Sequence, residues 1–319
     1  MNHKRTALAA IFTSSVLFGF SFLFSKMALE VVSPFAMLSM RFLTAFLCMT
    51  LLILFRVVRL HLQGRSFLPL LFLGLLQPIL YFIFESYGIR LTNSSFSGVI
   101  IALCPVSAML LGNVFLKERP TWKQALFMGL SLLGVILISM GGTGDGAVTV
   151  LGFLLLIGAV LAGSGFTLLS RKFSQNFTAF DRTYVMFALA TVFFITAAWI
   201  ENGSNYLPML VRAWKTPSFA LSIAYLSVAS SVVAFLLINY ALTYLSVTIT
   251  SSFTNLTTLV AVAAGVLILK EPFSLSQFFA TLLIVVGVYG VNVTGAETAP
   301  EIKTPAEMMA EQEESDLSK

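Results

Sequence analysis

Three fully charged side chains lie inside segments otherwise suited to hydrocarbon: Lys26, Arg41 and Glu85. A charge at the centre of a membrane helix costs about 2.5–3.5 kcal/mol on insertion scales, so each needs a compensating role. One reading is ion-pair chemistry, in which Glu85 pairs with Lys26 or Arg41 and the pair opens when a substrate or a proton arrives. The other is that Lys26 and Arg41 snorkel to headgroups while Glu85 meets interfacial water. Gln77, Tyr81 and Glu85 follow one another at i, i+4 and i+8, which places them on one helix face. A stripe of amide, phenol and carboxylate is expensive against lipid, so it should face a cavity or a neighbouring helix. Further along, Thr250, Thr254 and Thr257 share one face of segment 247–269, and Ser251, Asn255 and Thr258 share the next. Hydroxyls can satisfy a helix's own carbonyls, whereas the Asn255 amide needs partners elsewhere and so points to a cavity wall or a packed interface. Asn239 and Tyr240, at the end of the preceding segment, are candidate neighbours. The chemistry these groups support is reversible binding of a small molecule, with a proton as candidate coupling ion at Glu85.

The elements that position them are membrane helices. Hydrophobic residues make up 58% of the 319 residues, charged residues 10%, and the mean hydropathy is +0.93. A soluble domain is usually about 25% charged. Ten spans are predicted, at 8–29, 34–55, 68–89, 94–116, 122–140, 150–169, 183–200, 220–242, 247–269 and 274–293, each near the roughly 20 residues that cross a bilayer core. The first is a helix rather than a cleaved leader, because it is long and no A-x-A cleavage site follows its apolar run. With the N-terminus placed inside, thirteen of the nineteen Lys and Arg fall on the cytoplasmic side. Only Arg90, Arg212, Lys215 and Lys270 fall outside, which predicts N-in and C-in.

Two stretches of the chain repeat without a gap. Residues 87–134 align with 240–287 at a shift of 153: Tyr87-Gly88-Ile89 meets Tyr240-Ala241-Leu242, and Leu116-Lys117-Glu118 meets Leu269-Lys270-Glu271. Five spans per half is odd, so the second copy must enter the membrane from the opposite side. The Lys-Glu pair would then sit on both faces, which suits an architectural turn better than a binding site. Extended to the third span, the same shift places Ser230, Ala234 and Ile238 opposite Gln77, Tyr81 and Glu85, so the carboxylate belongs to one half only. Gly129, Gly134, Gly287 and Gly290 suit close helix packing, whereas Gly19, Gly163 and Gly165 could permit bending. Phe18 and Phe22 are read mainly as packing, with a pocket wall as the alternative.

Other features exclude more than they suggest. Cys48 and Cys104 lie in apolar spans and read as packing residues, and His3 and His61 lie outside the spans, so no metal or other cofactor is expected. The net charge of +5 is distributed as a topology signal, with no indication of nucleic-acid binding. Segment 201–218 reads as a short amphipathic piece at the outer interface. Trp122, Trp199 and Trp214 fall near predicted boundaries, where indoles favour headgroups. From Glu297 the tail is acidic and predicted to be disordered, with one short helix conceivable at the capping box Thr304-Pro305-Ala306-Glu307.

These residues resemble the EamA-type transporters of the drug/metabolite transporter superfamily. The resemblance rests on Phe18-Gly19-Phe20-Ser21-Phe22 with Lys26, on Pro34 with Arg41, on Tyr87-Gly88-Ile89 leading to Pro105, and on the two Leu-Lys-Glu turns. It spans about 8–293. It departs at Phe18, where tryptophan is usual, and at Thr258, where a proline is common; the latter implies a ninth helix straighter than the fourth. The resemblance implies an all-α polytopic fold of ten helices in two inverted five-helix repeats, and a secondary transporter, usually an exporter of amino acids, related metabolites or drugs. The expected divisions are 1–145, 149–295 and a tail 296–319, in the inner or plasma membrane with both termini cytoplasmic. Its partners would be a small-molecule substrate and membrane lipids, with the oligomeric state open. No catalytic residues are expected: Asp145 and Asp181 lie on opposite faces without a histidine, which argues against a membrane enzyme. Short loops argue against a receptor or scaffold. No phosphate-binding loop occurs that would couple the chain to ATP.

Overall fold

The computed structural model describes residues 3–61, 67–91, 100–101, 103–117, 119–140, 149–268 and 275–294. Every regular element among them is helical. The first helices are α1 (His3–Leu29) and α2 (Pro34–Leu54), followed by α3, which runs 68–90 through a π-helical segment, Leu75–Leu80. Next come α4 (Cys104–Leu116), α5 (Trp122–Met140), α6 (Val150–Phe173), α7 (Ala179–Asn202) and the short α8 (Tyr206–Trp214). The chain continues through α9 (Pro217–Tyr244), which contains a second π-helical segment (Tyr225–Val233), then α10 (Val247–Ser252), α11 (Thr254–Ile268) and α12 (Leu275–Thr294).

Among the described residues, six stretches are long and apolar enough to cross a bilayer: α1, α2, Leu68–Gly88 of α3, α6, Ala179–Trp214 and α9. This makes the chain a multi-pass membrane protein. Residues 94–99, Glu118, the second Leu-Lys-Glu turn (269–271), Asp145 and the tail 296–319 lie outside the described residues, as do the side chains of Phe22, Lys26 and Thr258.

The sequence sets most helix ends through familiar chemistry. Pro34, Pro105 and Pro217 occupy first-turn positions, where a missing N–H costs nothing. Thr178 and Asp181 form a reciprocal capping box that starts α7 four residues earlier than the apolar pattern alone predicts. Thr149 and Ser246 cap α6 and α10. Lys117 ends α4 in the left-handed region (φ 56°) and donates its N–H to the Gly112 carbonyl. Gly203, also left-handed, ends α7 and redirects the chain into α8, the amphipathic piece predicted within 201–218.

One expectation changes. The third span is not one continuous α-helix. Gln77 has extended dihedrals (φ −146°, ψ 123°) because it precedes Pro78, whose ring disfavours helical geometry in the residue before it. The ninth span divides at Phe253 into α10 and α11. There the hydroxyls of Ser251 and Ser252 donate to the carbonyls of Thr248 and Ile249, competing with the helical ladder. At Gly19 a β-carbon would lie 2.5 Å from Val260 Cβ, so α1 and α11 pack at the limit of contact.

The packing pattern survives exchange of the two halves. In the first half α1 packs on α9 and α11; in the second, its counterpart α6 packs on α3 and α4. The second helix of each half meets its opposite number, α2 on α7, and the fifth does likewise, α5 on α12. At α5–α12 the backbones nearly touch, and a β-carbon on Gly287 would lie 2.5 Å from Ser131 Cβ. The main apolar core lies between α2, α3, α7 and α9, where Phe42, Phe187, Phe194 and Phe235 make stacked and edge-on ring contacts. Aromatic pairs of this kind contribute about 0.5–1.5 kcal/mol each beyond their buried area.

Candidate functional site

Arg41 is buried (3% exposed) on α2, and its guanidinium reaches across to α9. Its Nε donates to Ser231 Oγ (2.8 Å) and its Nη2 to Ser230 Oγ (3.0 Å). Its Cζ lies 5.1 Å from the ring centroid of Phe82 and 5.5 Å from that of Phe42, so two aromatic faces also border it. Adjacent hydroxyls on an α-helix point about 100° apart. The π-helical segment of α9 presents Ser230 and Ser231 together to a single guanidinium.

Glu85 completes the site from α3. Tyr81 Oη donates to Glu85 Oε1 at 3.0 Å, as their i, i+4 spacing predicts. The Tyr81 ring lies over Gly163 of α6, where a β-carbon would come within 3.2 Å of Tyr81 Cδ2 and 3.8 Å of Cys104 Sγ. Gly163 is therefore small to admit the ring, and α3, α4 and α6 converge at the carboxylate. Glu85 and Arg41 are electrostatic neighbours, yet no direct ion pair joins them: the arginine is bonded to serines and the carboxylate to a phenol. The expected Glu85–Arg41 ion pair is thus replaced by two opposite charges held apart by separate neutral partners. The Lys26 alternative lies outside the described residues.

The remaining candidates are placed elsewhere. Gln77 leaves the Tyr81–Glu85 face because of the break at Pro78. Its repeat partner, Ser230, is an Arg41 ligand, and the two π-helical segments end at equivalent positions, Leu80 and Val233, under the 153-residue shift. π-Helical turns are rare and concentrate at functional positions. Asn255 donates to Ser131 Oγ at 2.9 Å, tying α11 to α5. Thr254 is exposed, and Tyr240 packs beside Tyr244, with ring centroids 4.9 Å apart.

Asn239 belongs to a second polar centre near the opposite end of the bundle. Its Oδ1 accepts from Ser170 Oγ (2.5 Å) and its Nδ2 donates to Thr183 Oγ1 (3.0 Å). Arg182, fully buried, donates through Nη2 to the Asn239 carbonyl (2.6 Å) and Thr243 Oγ1 (2.9 Å), and through Nη1 to Ser170 Oγ (2.6 Å) and the Ser170 carbonyl. Arg171, 1% exposed, donates to the carbonyls of Leu242 and Thr243 at the end of α9. Charge-counting reads these arginines as solvated loop cations, whereas the fold turns them inward to cap a helix terminus. Ser230, Ser231 and Arg182 are the residues that sequence reasoning undervalued. The available signal was Ser227-x-x-Ser230-Ser231, hydroxyls at i, i+3 and i+4 in an otherwise apolar span.

An all-helical bundle whose like halves enclose charged groups has the architecture of a multi-pass membrane transporter. The chain belongs to the EamA-like transporter family, whose profile matches residues 5–140 and again 150–293. It is 35% identical over 296 residues to the uncharacterised transporter YcxC of Bacillus subtilis (strain 168), covering 92% of this chain and 95% of that one. It is 26% identical to an S-adenosylmethionine/S-adenosylhomocysteine transporter of Chlamydia muridarum (88% and 90% covered). A probable terminal-alkyne amino-acid exporter of Streptantibioticus cattleyicolor is 29% identical over about half of each chain (47% and 48%). A solved crystal structure shares the fold with a TM-score of 0.77 at 18% identity, covering 91% of this chain and 98% of that one.

Proposed function

We propose that the chain is a secondary transporter, an exporter of small amphoteric metabolites such as amino acids and related compounds, working by alternating access. The observation that carries this reading is the separation of Arg41 from Glu85. Two opposite charges enclosed by helices attract strongly at low dielectric, and leaving them apart is costly unless something occupies the gap during the working cycle. A molecule bearing both a carboxylate and an ammonium group would satisfy Arg41 and Glu85 together. Glu85 is also the candidate carrier of a coupling proton, since protonation would release its hold on a cationic group.

The two halves, 1–145 and 149–295, would rock about this site. Ten helices with both termini cytoplasmic are the topology that the basic residues favour, and the inner or plasma membrane is the setting. Support for inverted halves comes from packing that is unchanged when they are exchanged, and from matching π-helical segments in α3 and α9. Relatives described as carriers of S-adenosylmethionine or an amino acid fit an amphoteric substrate, since each of those compounds carries an amine and a carboxylate.

The test is counterflow in proteoliposomes with a panel of amino acids, nucleosides, organic acids and cationic drugs, with and without a pH gradient. The expected result is selective exchange of amphoteric compounds by the wild type, with the gradient response lost in Glu85→Gln. Selective exchange of nucleosides or drugs without charge pairs would overturn the substrate assignment. A full gradient response in the mutant would remove Glu85 from coupling.

A further inference from the structure

Ser227 lies three and four residues before Ser230 and Ser231, within the π-helical segment of α9, and all three are fully buried. That places Ser227 about one π-helical turn before the pair of serines that holds Arg41. This segment packs directly against α2, the helix that carries Arg41. Ser227 Oγ nevertheless has no hydrogen-bond partner among the described residues. Buried helical serines commonly bond a carbonyl one turn back, as Ser222 does with the Ser218 carbonyl at 2.7 Å. A buried hydroxyl without a partner costs about 1–3 kcal/mol. Arg41 has spare capacity as well: of its three nitrogens only Nε and Nη2 are hydrogen-bonded among the described residues. A buried guanidinium with an idle nitrogen and a buried hydroxyl with no acceptor lie on facing helices, and both lack the same thing, a hydrogen-bond acceptor.

We infer that Ser227 and Arg41 form an oxyanion cradle that receives the carboxylate of the transported molecule, with Ser227 setting the preference for an acid over its neutral amide. A carboxylate offers about four lone-pair positions and accepts from guanidinium and hydroxyl at once. Ser230 and Ser231 position the guanidinium from the side. The assignment rests on the amphoteric-substrate reading above and adds to it which residue discriminates the anionic end. Hydrogen bonds to charged groups are worth about 1.5–3 kcal/mol, so losing one should weaken binding about tenfold or more.

The experiment pairs amino acids with their carboxamides (leucine and leucinamide, methionine and methioninamide, phenylalanine and phenylalaninamide) in counterflow and thermal-shift assays. Wild type, Ser227→Ala, Ser227→Thr and Thr281→Val are compared; Thr281 Oγ1, on α12, is with Thr250 Oγ1 another buried hydroxyl that has no partner among the described residues. In the cradle assignment, Ser227→Ala raises the Tm of the empty carrier, raises KM for the acid about tenfold and leaves the amide unchanged. Ser227→Thr restores the acid preference. Thr281→Val raises the Tm without altering that preference. An unchanged acid-to-amide ratio in Ser227→Ala overturns the cradle and leaves an internal water as the hydroxyl's partner, while the carrier reading stands. Equal handling of acid and amide by the wild type also rejects the cradle alone. A wild type that exchanges other classes of compound but none of these pairs overturns the amphoteric reading and the cradle with it.

Discussion

Of the three arginines buried against α9 among the described residues, Arg41 and Arg182 are solvated in opposite ways. All three nitrogens of Arg182 are bonded, to Ser170, Asn239, Thr243 and the Thr178 carbonyl. Arg41, near the middle of the same helix, has two serine hydroxyls and two aromatic faces, with Nη1 unbonded among the described residues and Glu85 nearby but not touching. A buried cation is tolerable when the protein replaces its hydration shell. At Arg182 the replacement is complete, so nothing further can bind without breaking a bond. At Arg41 it is partial, and the missing ligands are those a substrate would bring. On the reading proposed above, the saturated arginine is structural and the partly solvated one receives substrate.

Each side of this contrast can be attacked. The largest expected effect is Arg182→Ala, which removes a donor from the Asn239 carbonyl, the Ser170 carbonyl and the Ser170 hydroxyl. Losses of about 3–5 kcal/mol follow when one partner of a buried charged network is removed, so folded protein should largely disappear in fluorescence-detected gel filtration. A well-folded Arg182→Ala would end the claim that this centre is structural. Next comes Arg41→Gln. Because Arg41 is only partly solvated, folded yield should be retained while counterflow falls about a hundredfold, the equivalent of about 2.7 kcal/mol of lost binding. Normal counterflow with collapsed yield would reverse the roles of the two arginines.

Asn239→Leu should cost about 1–3 kcal/mol of stability, since Ser170 and Thr183 lose a partner inside the bundle. Its KM for any transported compound should stay at the wild-type value, and a shift in KM would return Asn239 to the binding site. The smallest effect is expected at the bundle end where Ser33 on the first half donates to Glu201 Oε2 on the second (2.6 Å). This exposed bond should be worth about 0.5–1.5 kcal/mol, so Ser33→Ala should lower the Tm slightly and change exchange rates less than Arg41→Gln does.

The sequence by itself determined the class of fold. Apolar segments of bilayer length leave the backbone no partner but its own helix, so long helices follow from composition. The 153-residue repeat implies two like halves before any contact is known. Local chemistry also set what depends on near neighbours: Tyr81 donates to Glu85 because four residues make one helical turn, and Thr178 with Asp181 caps α7 because their spacing allows nothing else as well. Pro78 was legible too, and it explains why Gln77 leaves the stripe that a simple periodic reading assigns it. Contacts between distant helices were decided only by the tertiary structure. No pattern within α2 announces that Arg41 will reach serines some 190 positions away, nor that Glu85 will stop short of it. Charge counting places Arg171 and Arg182 with the solvated loop cations, because it records sign and position but not the carbonyls that another helix presents. A hydrogen bond across the bundle depends on the rotation and depth of two helices at once, and packing of the whole core sets both.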